Sequence, residues 1–252
     1  RHRRGRAQHA AAAYPSRMAA AVELLESSPR ELGSAPMLYE PSSALSVPLP
    51  DEIATLGVDD VMPSDVRACG SLDGDGRPPA VDHFARVTLA LLYVAAGGLD
   101  HAHNLVTPLC WGSSTPYGGR PITGSPAARD AAYVHALVHR AEGHCEGEFG
   151  NGFSNANYWY TAASAAAHPI SRPLLQEARV LAHGKPHLEQ AIAAHGDEFS
   201  PHKFVAICDK ALSSNDAELA AFCSAVGRTE WSMLLRHCYS QLRAACEDAP
   251  RP

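Results

Sequence analysis

Histidine is the side chain best placed to do chemistry in this chain of 252 residues. His135 and His139 are four residues apart, so in a helix their side chains lie on the same face. Two imidazoles one turn apart can chelate a divalent transition metal such as zinc, provided that a third ligand completes the site. Three nearby side chains are candidates for that ligand: His101, His103 and Glu142. The zincin signature is absent, because Ala136 stands where its general-base glutamate would follow His135.

A second unusual segment follows directly and is rich in asparagine and aromatic residues. It contains Asn155, Asn157 and Trp159. One interpretation is a pocket that these side chains line together with the histidines and Glu142, next to the Gly/Pro-rich loop at 110–125. The favoured interpretation is structural: the aromatics close a helical hairpin, the amides satisfy loop backbone groups, and the histidines are hydrogen-bonded core residues. No complete catalytic motif is present, so the catalytic residues are unknown.

The elements that carry these residues are predicted to be helical. Phe84, Val87, Leu91 and Val94 recur three or four residues apart, which is the helical period. Glycine, proline and serine signals predict helix ends at Gly97, Pro108 and Gly143, and helix starts at Ser125-Pro126 and Ser154. Further helices are predicted at about 172–183, 186–195, 201–213, 215–226 and 229–246. No convincing strand is found, so the fold class is all-α.

Two stretches have the layout of a helical hairpin whose second helix begins with a small residue. Gly98 is followed by Ala102, and Gly143 is followed, after a longer loop, by Ala156. This layout resembles tetratricopeptide-type hairpins, in which a glycine ends the first helix and an alanine lies at the helix crossing. The alternative is an irregular helical bundle.

The chain divides into two parts. Residues 1–79 form a basic arm and an extended Pro/Ser/Gly-rich segment with one or two short helices, at about 15–29 and 51–56. Residues 80–248 form the all-helical domain of antiparallel hairpins.

Positive charge is concentrated at the beginning of the chain, although the net charge is -6. Five arginines precede the first acidic residue: Arg1, Arg3, Arg4, Arg6 and Arg17. Such an acid-free start is typical of an organellar transit peptide, here mitochondrial rather than chloroplast. The alternatives are an arm that contacts nucleic acid and the solvated tail of a cytoplasmic protein. The acidic remainder argues against nucleic-acid binding elsewhere, and no apolar stretch is long enough to span a membrane.

The seven cysteines indicate neither a disulfide framework nor a zinc ribbon, because their number is odd and no Cys-x-x-Cys occurs. Cys208, Cys223 and Cys238 recur every fifteen residues in helical patterns, so we expect them to be small buried hydrophobes. A reducing compartment fits this usage.

The motifs around residue 143 resemble those of a family of uncharacterised all-helical proteins. In that family a helix of the pattern H-x-x-x-H-R-x-E-G precedes N-A-x-Y-W and then His-Pro. The matching residues here are His135, His139, Arg140, Glu142, Gly143, Asn155, Ala156, Tyr158, Trp159, His168 and Pro169. The similarity covers about residues 80–245, and the stretch at 144–153 is longer than in the shortest family members. The resemblance implies a helical unit and no established activity.

Two functions follow from the sequence. The first is a non-catalytic accessory or scaffold subunit of a large organellar assembly, which binds other protein subunits through its N-terminal arm and helical surface and needs no cofactor. The second is a His-ligated metal-dependent enzyme, a hydrolase, with its site around His135 and His139 and one divalent metal such as zinc as cofactor.

Overall fold

The computed structural model describes residues 14–27, 49–64, 78–112, 119–147 and 150–249. These residues are mostly helical, which confirms the all-α fold class. The α-helices are α1 (Ser16–Ser27), α2 (Asp51–Ala54), α3 (Pro79–Ala96), α4 (Leu99–Cys110), α5 (Pro126–Glu142), α6 (Gly152–Ala162), α7 (Ser171–Ala182), α8 (Pro186–Ala193), α9 (Pro201–Ser214) and α10 (Ala217–Glu247). Short 3₁₀ helices span Val58–Val61 and Ala165–Ala167.

Helix α3 lies at the centre of the core, since it is apolar on nearly every side and most of its residues are buried. It contacts α1, α4, α5 and α10. The indole Nε1 of Trp231, on α10, donates a hydrogen bond of 2.8 Å to the carbonyl oxygen of Leu91 in the middle of α3. Within the described ranges, no helix is both long enough and apolar enough to cross a membrane.

The two predicted hairpins are present as α3–α4 and α5–α6. Gly97 ends α3 in the left-handed conformation, with φ of 85°, which glycine adopts without steric cost. Ala102 and Ala156 are both fully buried near the starts of the second helices. Small residues at these positions let the paired helices approach closely.

The closest approach in the α5–α6 hairpin occurs at Gly152. A Cβ atom at this position would lie 2.4 Å from the carbonyl oxygen of His139 and 2.7 Å from Cβ of Glu142. Only glycine therefore allows the start of α6 to pass so close to the end of α5, beside the histidine pair.

The ends of α5 and α6 confirm one predicted cap and correct another. Oγ of Ser125 accepts the backbone N–H of Ala128, as a serine N-cap should. Ser154 is not the cap of α6, because the helix begins two residues earlier and Asn151 caps it by accepting the N–H of Ser154. Asn151 also belongs to a short antiparallel pair of strands, β1 (Glu146–Gly147) and β2 (Gly150–Asn151), in which it lies opposite Glu146. The sequence predicted only a loop here.

The predictions of a helix end at Pro108 and of a break between the helices at 215–226 and 229–246 were wrong. Pro108 lies within the last turn of α4, which continues to Cys110. The helices predicted at 215–226 and 229–246 are one continuous helix, α10, and Gly227 is buried inside it. A lone glycine costs a helix only about 1 kcal/mol, and burial of one face of α10 outweighs that cost.

The described residues of the first third belong to the same core as the rest. Met18 and Leu25 of α1 and Ile53 of α2 are buried against the apolar cluster that contains α3. The guanidinium of Arg17 donates to Asp60 (2.8 Å) and to the Thr55 hydroxyl (2.8 Å). Arg17 therefore holds α1 against its neighbours within the chain.

Three of the cysteines are fully buried small residues in helices, as predicted: Cys208, Cys223 and Cys238. Cys246 differs from them, because it is disulfide-bonded.

Candidate metal centre

Three histidines from two helices come together at one place in the structure. His103 lies on α4, and His135 and His139 lie on one face of α5. One ligand nitrogen of each lies within 4.8 Å of those of the other two. His135 is 2 % exposed and the side chain of His139 is 12 % exposed. We call this group the histidine cluster, and it lies just beneath the surface.

Hydrogen bonds to Nδ1 fix the ring protons of two of these histidines. Oγ1 of Thr107 donates its single proton to the carbonyl oxygen of His103 (2.7 Å), so it can only accept from Nδ1 of His103, 3.3 Å away. Nδ1 of His139 lies 2.6 Å from Oε2 of Glu142, and an ionised carboxylate only accepts. In the neutral form of either ring the proton is on Nδ1, and the lone pair of Nε2 is then available for a cation.

His135 occupies the most buried position of the three. Its Nδ1 lies 3.4 Å from Sγ of Cys110, and its Nε2 is buried with no hydrogen-bond partner. Burial, reinforced by the charges of His139 and His103, lowers the pKa of His135 to about 2, so this ring is neutral. Burial also raises the pKa of the Cys110 thiol to about 12, so the sulfur stays protonated. An unpaired buried nitrogen costs free energy, and a bound cation would satisfy it.

Aromatic rings cover the histidine cluster on one side. The indole of Trp159 stacks on His135 with ring centroids 3.9 Å apart. Trp111 contacts Trp159 edge to face at 5.4 Å, and Tyr158 contacts both indoles. We call Trp111, Tyr158 and Trp159 the aromatic wall.

The donor set fits a transition metal such as zinc in type and number. Zinc binds imidazole nitrogen at about 2.0–2.1 Å, so ligands in a tetrahedral site lie about 3.3 Å apart. The three nitrogens here lie within 4.8 Å of one another, so they would have to move closer together to bind one ion. The hydrogen bonds at Nδ1 are those that hold metal-binding histidines in orientation.

A second cluster of titratable groups joins the beginning of α5 to α10. Oδ1 of Asp130 lies 3.1 Å from Nε2 of His168, and Oδ2 lies 3.2 Å from Nε2 of His237. Sγ of Cys238 lies 3.8 Å from Oδ2. Burial alone would raise the pKa of Asp130, but the hydrogen bond from His168 and the neighbouring imidazole of His237 outweigh it and hold the pKa at about 2. Asp130 is thus a fully buried, ionised carboxylate.

The geometry at Asp130 is that of a structural clamp rather than a metal site. Nδ1 of His168 accepts the backbone N–H of Ile170, which places the ring proton on Nε2, facing Asp130. Ligand atoms of Asp130, His168 and His237 also lie within 4.8 Å of one another, but each carboxylate oxygen faces a different imidazole and the His168 nitrogen that faces it carries a proton. The clamp connects α5, the segment before α7, and α10.

A buried ion pair holds the other end of α5. Nη2 of Arg140 lies 2.6 Å from Oε2 of Glu230, and Nη1 donates to the hydroxyl of Tyr160. Tyr133 donates to Oε1 of Glu230, and the Arg140 guanidinium lies over the ring of Phe204. Burial lowers the pKa of Arg140, but the neighbouring Glu230 outweighs burial and raises it, so Arg140 stays charged. These contacts orient α5, and with it the two histidines that it carries.

Some residues of the predicted pocket lie away from the cluster. His101 is exposed, and its ring packs against Tyr93 instead. The backbone oxygen of Asn157 accepts from Thr161 and lies 3.1 Å from His202 Nε2, and its side-chain Oδ1 is buried without a partner. Asn155 is half-buried on α6. The structure brings His103, Glu142 and Trp159 to the pair His135 and His139.

The arm arginines Arg1, Arg3, Arg4 and Arg6 lie outside the described residues. Sequence reasoning missed Thr107 and Cys110 as partners of the cluster. It also missed the clamp at Asp130.

Comparisons with protein-family models, curated proteins and solved structures gave no match to this chain.

Proposed function

We propose that this protein binds one divalent transition metal ion, zinc by preference, through Nε2 of His103, His135 and His139. The observation that carries the proposal is the convergence of three imidazoles, two with their protons held on Nδ1 and one with a buried, unpaired Nε2. In the bound state Nδ1 of His135 would donate to Sγ of Cys110, so each ligand would have a partner behind it.

The chemistry that such an ion supplies is hydrolysis. Three protein ligands leave a fourth position open for water, and a zinc ion lowers the pKa of that water to about 7. Access to the fourth position is from the side of His103, which is only half-buried. Glu142 is bound to His139 and serves to orient that ligand. We therefore propose a metal-dependent hydrolase.

The test is metal binding by the purified protein and two matched variants. His103→Ala removes a ligand, whereas His101→Ala removes an exposed histidine two residues away on the same helix. We expect one zinc ion per chain by elemental analysis, retained in His101→Ala and lost from His103→Ala. Metal-free protein and His103→Ala should also lack the hydrolysis of p-nitrophenyl acetate that the zinc-loaded protein shows.

The proposal would be overturned by a protein that takes up no stoichiometric zinc, cobalt or manganese in titration calorimetry. Equal zinc content in His101→Ala and His103→Ala would likewise contradict the assigned ligands. Zinc binding without hydrolysis would restrict the function to metal binding.

The accessory-subunit function stays a prediction. Its organellar location and its partner-binding arm rest on the sequence alone, and the described arginine of the arm, Arg17, is bonded within the chain. A complex recovered from cells with the full chain, and lost when the arm arginines are replaced, would support it.

A further inference from the structure

We propose that a cavity between α5 and α6 binds the phosphate group of a small phosphorylated compound, and that the guanidinium of Arg129 holds this group. The site is separate from the histidine cluster, because His135 lies six residues after Arg129, about 9 Å further along α5. The inference therefore goes beyond the proposed metal site and does not depend on it.

The cavity has a volume of about 300 Å³ and lies between the segment that leads into α5 and the turn that follows α6. Its walls carry one guanidinium, from Arg129, and three hydroxyl-bearing side chains, Thr123, Ser125 and Ser164. None of the described residues that line it is acidic. A cavity of this volume is at the lower end of the range for small-molecule sites, so it has room for a phosphate and several further atoms.

The bonding of Arg129 is incomplete within the described part of the chain. Its side chain is 35 % exposed, and its Nε is buried without a hydrogen-bond partner. Oδ1 of Asp130 lies 3.7 Å from Nε, which is too far for a hydrogen bond, and this oxygen is already bonded by His168. A guanidinium has five N–H donors, and a buried donor without an acceptor costs free energy. An anion in the cavity would supply the missing acceptors.

The stability of α5 does not account for Arg129 either. The residue lies near the beginning of the helix, where the helix dipole disfavours a cation and favours an anion. The first turn of α5 contains no acidic residue that would compensate this charge. A bound anion would therefore offset an arrangement that is unfavourable without one.

Phosphate fits this cavity better than a carboxylate does. A guanidinium can bind two oxygens of either group in a bidentate manner, but a carboxylate then has no oxygen left. A phosphate has further oxygens, which can accept from the hydroxyls in the walls. Ile122, Pro126 and Ala162 also line the cavity and offer apolar contacts to the rest of the ligand.

The experiment measures the binding of inorganic phosphate to the full chain by titration calorimetry. The protein is freed of metal beforehand, so that phosphate has no metal ion to bind, and chloride keeps the ionic strength constant. We expect one phosphate per chain, bound about tenfold or more weakly by Arg129→Gln, which loses a charged hydrogen-bond donor. Arg86→Gln is the control, because Arg86 lies on α3 and is bonded to Asp82. It should bind phosphate as the parent does.

Ser164→Gly is a second variant that should keep the fold. Ser164 has a φ of 49°, a conformation that glycine adopts without steric cost, so this change removes the hydroxyl but adds no strain. We expect it to weaken phosphate binding about threefold to tenfold, as the loss of one hydrogen bond should. Circular dichroism checks that each variant is folded.

The inference is overturned if metal-free protein binds no phosphate, or if Arg129→Gln binds it as tightly as the parent. Acetate that binds as tightly as phosphate would contradict the assignment to a phosphate group. Failure of the protein to bind zinc would leave this inference standing, since the two titrations are made on different sites of the same chain.

Discussion

Trp159 stacks on His135, with ring planes inclined by 18°. Trp159 is 6 % exposed, so the stack excludes water from one face of the imidazole and fixes its plane. The orientation of His135 on α5 therefore depends on a side chain from α6. Any change that separates these two helices should disturb the histidine cluster before it unfolds the protein.

Replacing Trp159 tests this dependence. Trp159→Leu keeps an apolar side chain but removes the stack, so we expect zinc affinity to fall about tenfold, which is typical of losing a group that orients a ligand. Trp159→Phe keeps an aromatic ring, so its zinc affinity should lie between those of the parent protein and Trp159→Leu. Titration calorimetry measures the affinities, and circular dichroism checks that each variant is folded. An unchanged zinc affinity in Trp159→Leu would show that the stack has no role in metal binding.

Replacing Gly152 tests the close approach of α6 to α5. Gly152→Ala forces its new methyl group against backbone atoms of His139 and Gly143, so we expect a loss of about 1–3 kcal/mol in the free energy of unfolding and weaker zinc binding. Gly147→Ala is the control, because its Cβ would meet the oxygen of Gly150 at an ordinary 3.5 Å. Urea unfolding of both variants gives the comparison, and equal losses would contradict the close-approach argument.

Replacing Asp130 tests whether the clamp is structural. Asp130→Asn keeps one oxygen acceptor but puts an amide N–H₂ against one of the two imidazoles, so we expect a loss of about 1–3 kcal/mol in the free energy of unfolding. The metal content should not change. Asp209→Asn is the control, because it alters an exposed carboxylate paired with His144. It should lower the free energy of unfolding by less than about 1 kcal/mol. Loss of a metal ion from Asp130→Asn would identify the clamp as a metal site instead.

Substitutions of Arg140 and Glu230 should have non-additive effects on the free energy of unfolding. Arg140→Met leaves the buried carboxylate of Glu230 without its counter-charge and should lower the free energy of unfolding by about 3–5 kcal/mol. Adding Glu230→Gln to Arg140→Met should recover part of that loss, because the uncompensated charge is gone. A double-mutant cycle measured by denaturant unfolding gives the coupling, and additive losses would argue against a direct ion pair.

The stability of the fold should fall in mild acid, and His195 contributes to this. Its Nδ1 accepts the backbone N–H of Ser200, and burial, with the charges of Lys203 and Arg179, lowers its pKa to about 4. A histidine with a lowered pKa stabilises the fold above its unfolded value of about 6.5, and this contribution is lost as the pH falls from 6.5 to about 4.

His195→Asn isolates that contribution, because asparagine keeps an acceptor close to the position of Nδ1 but does not titrate. The free energy of unfolding of the variant should decrease less than that of the parent between pH 7 and pH 4.5. Parallel pH profiles for the two proteins would assign the acid sensitivity to other groups.

Local signals predicted the helices well. Gly97 and Gly143 end helices because the next turn needs a conformation that glycine provides, and Ser125 caps α5 as its side chain allows. The break predicted near Gly227 is absent from the structure, and it shows the limit of such signals, since packing of α10 overrides a weak local preference.

The site could be predicted only in part. His135 and His139 follow from their spacing, and His103 could have been chosen over His101, because it lies four residues after Leu99 and three before Val106, on the edge of the buried face of α4. The clamp at Asp130 has no such signal. Its histidines are 38 and 107 residues away along the chain, and only the tertiary fold brings them together.

Helix α10 has a consequence for how the protein is made. It supplies Trp231 to α3 and Glu230 to Arg140, and these partners are separated by 140 and 90 residues in the chain. On the ribosome, α3 and α5 are made long before α10, so the apolar surface of α3 and the charge of Arg140 lack their partners for about 5–30 s at ordinary rates of synthesis. The nascent chain is therefore a natural client for chaperones that shield apolar helices.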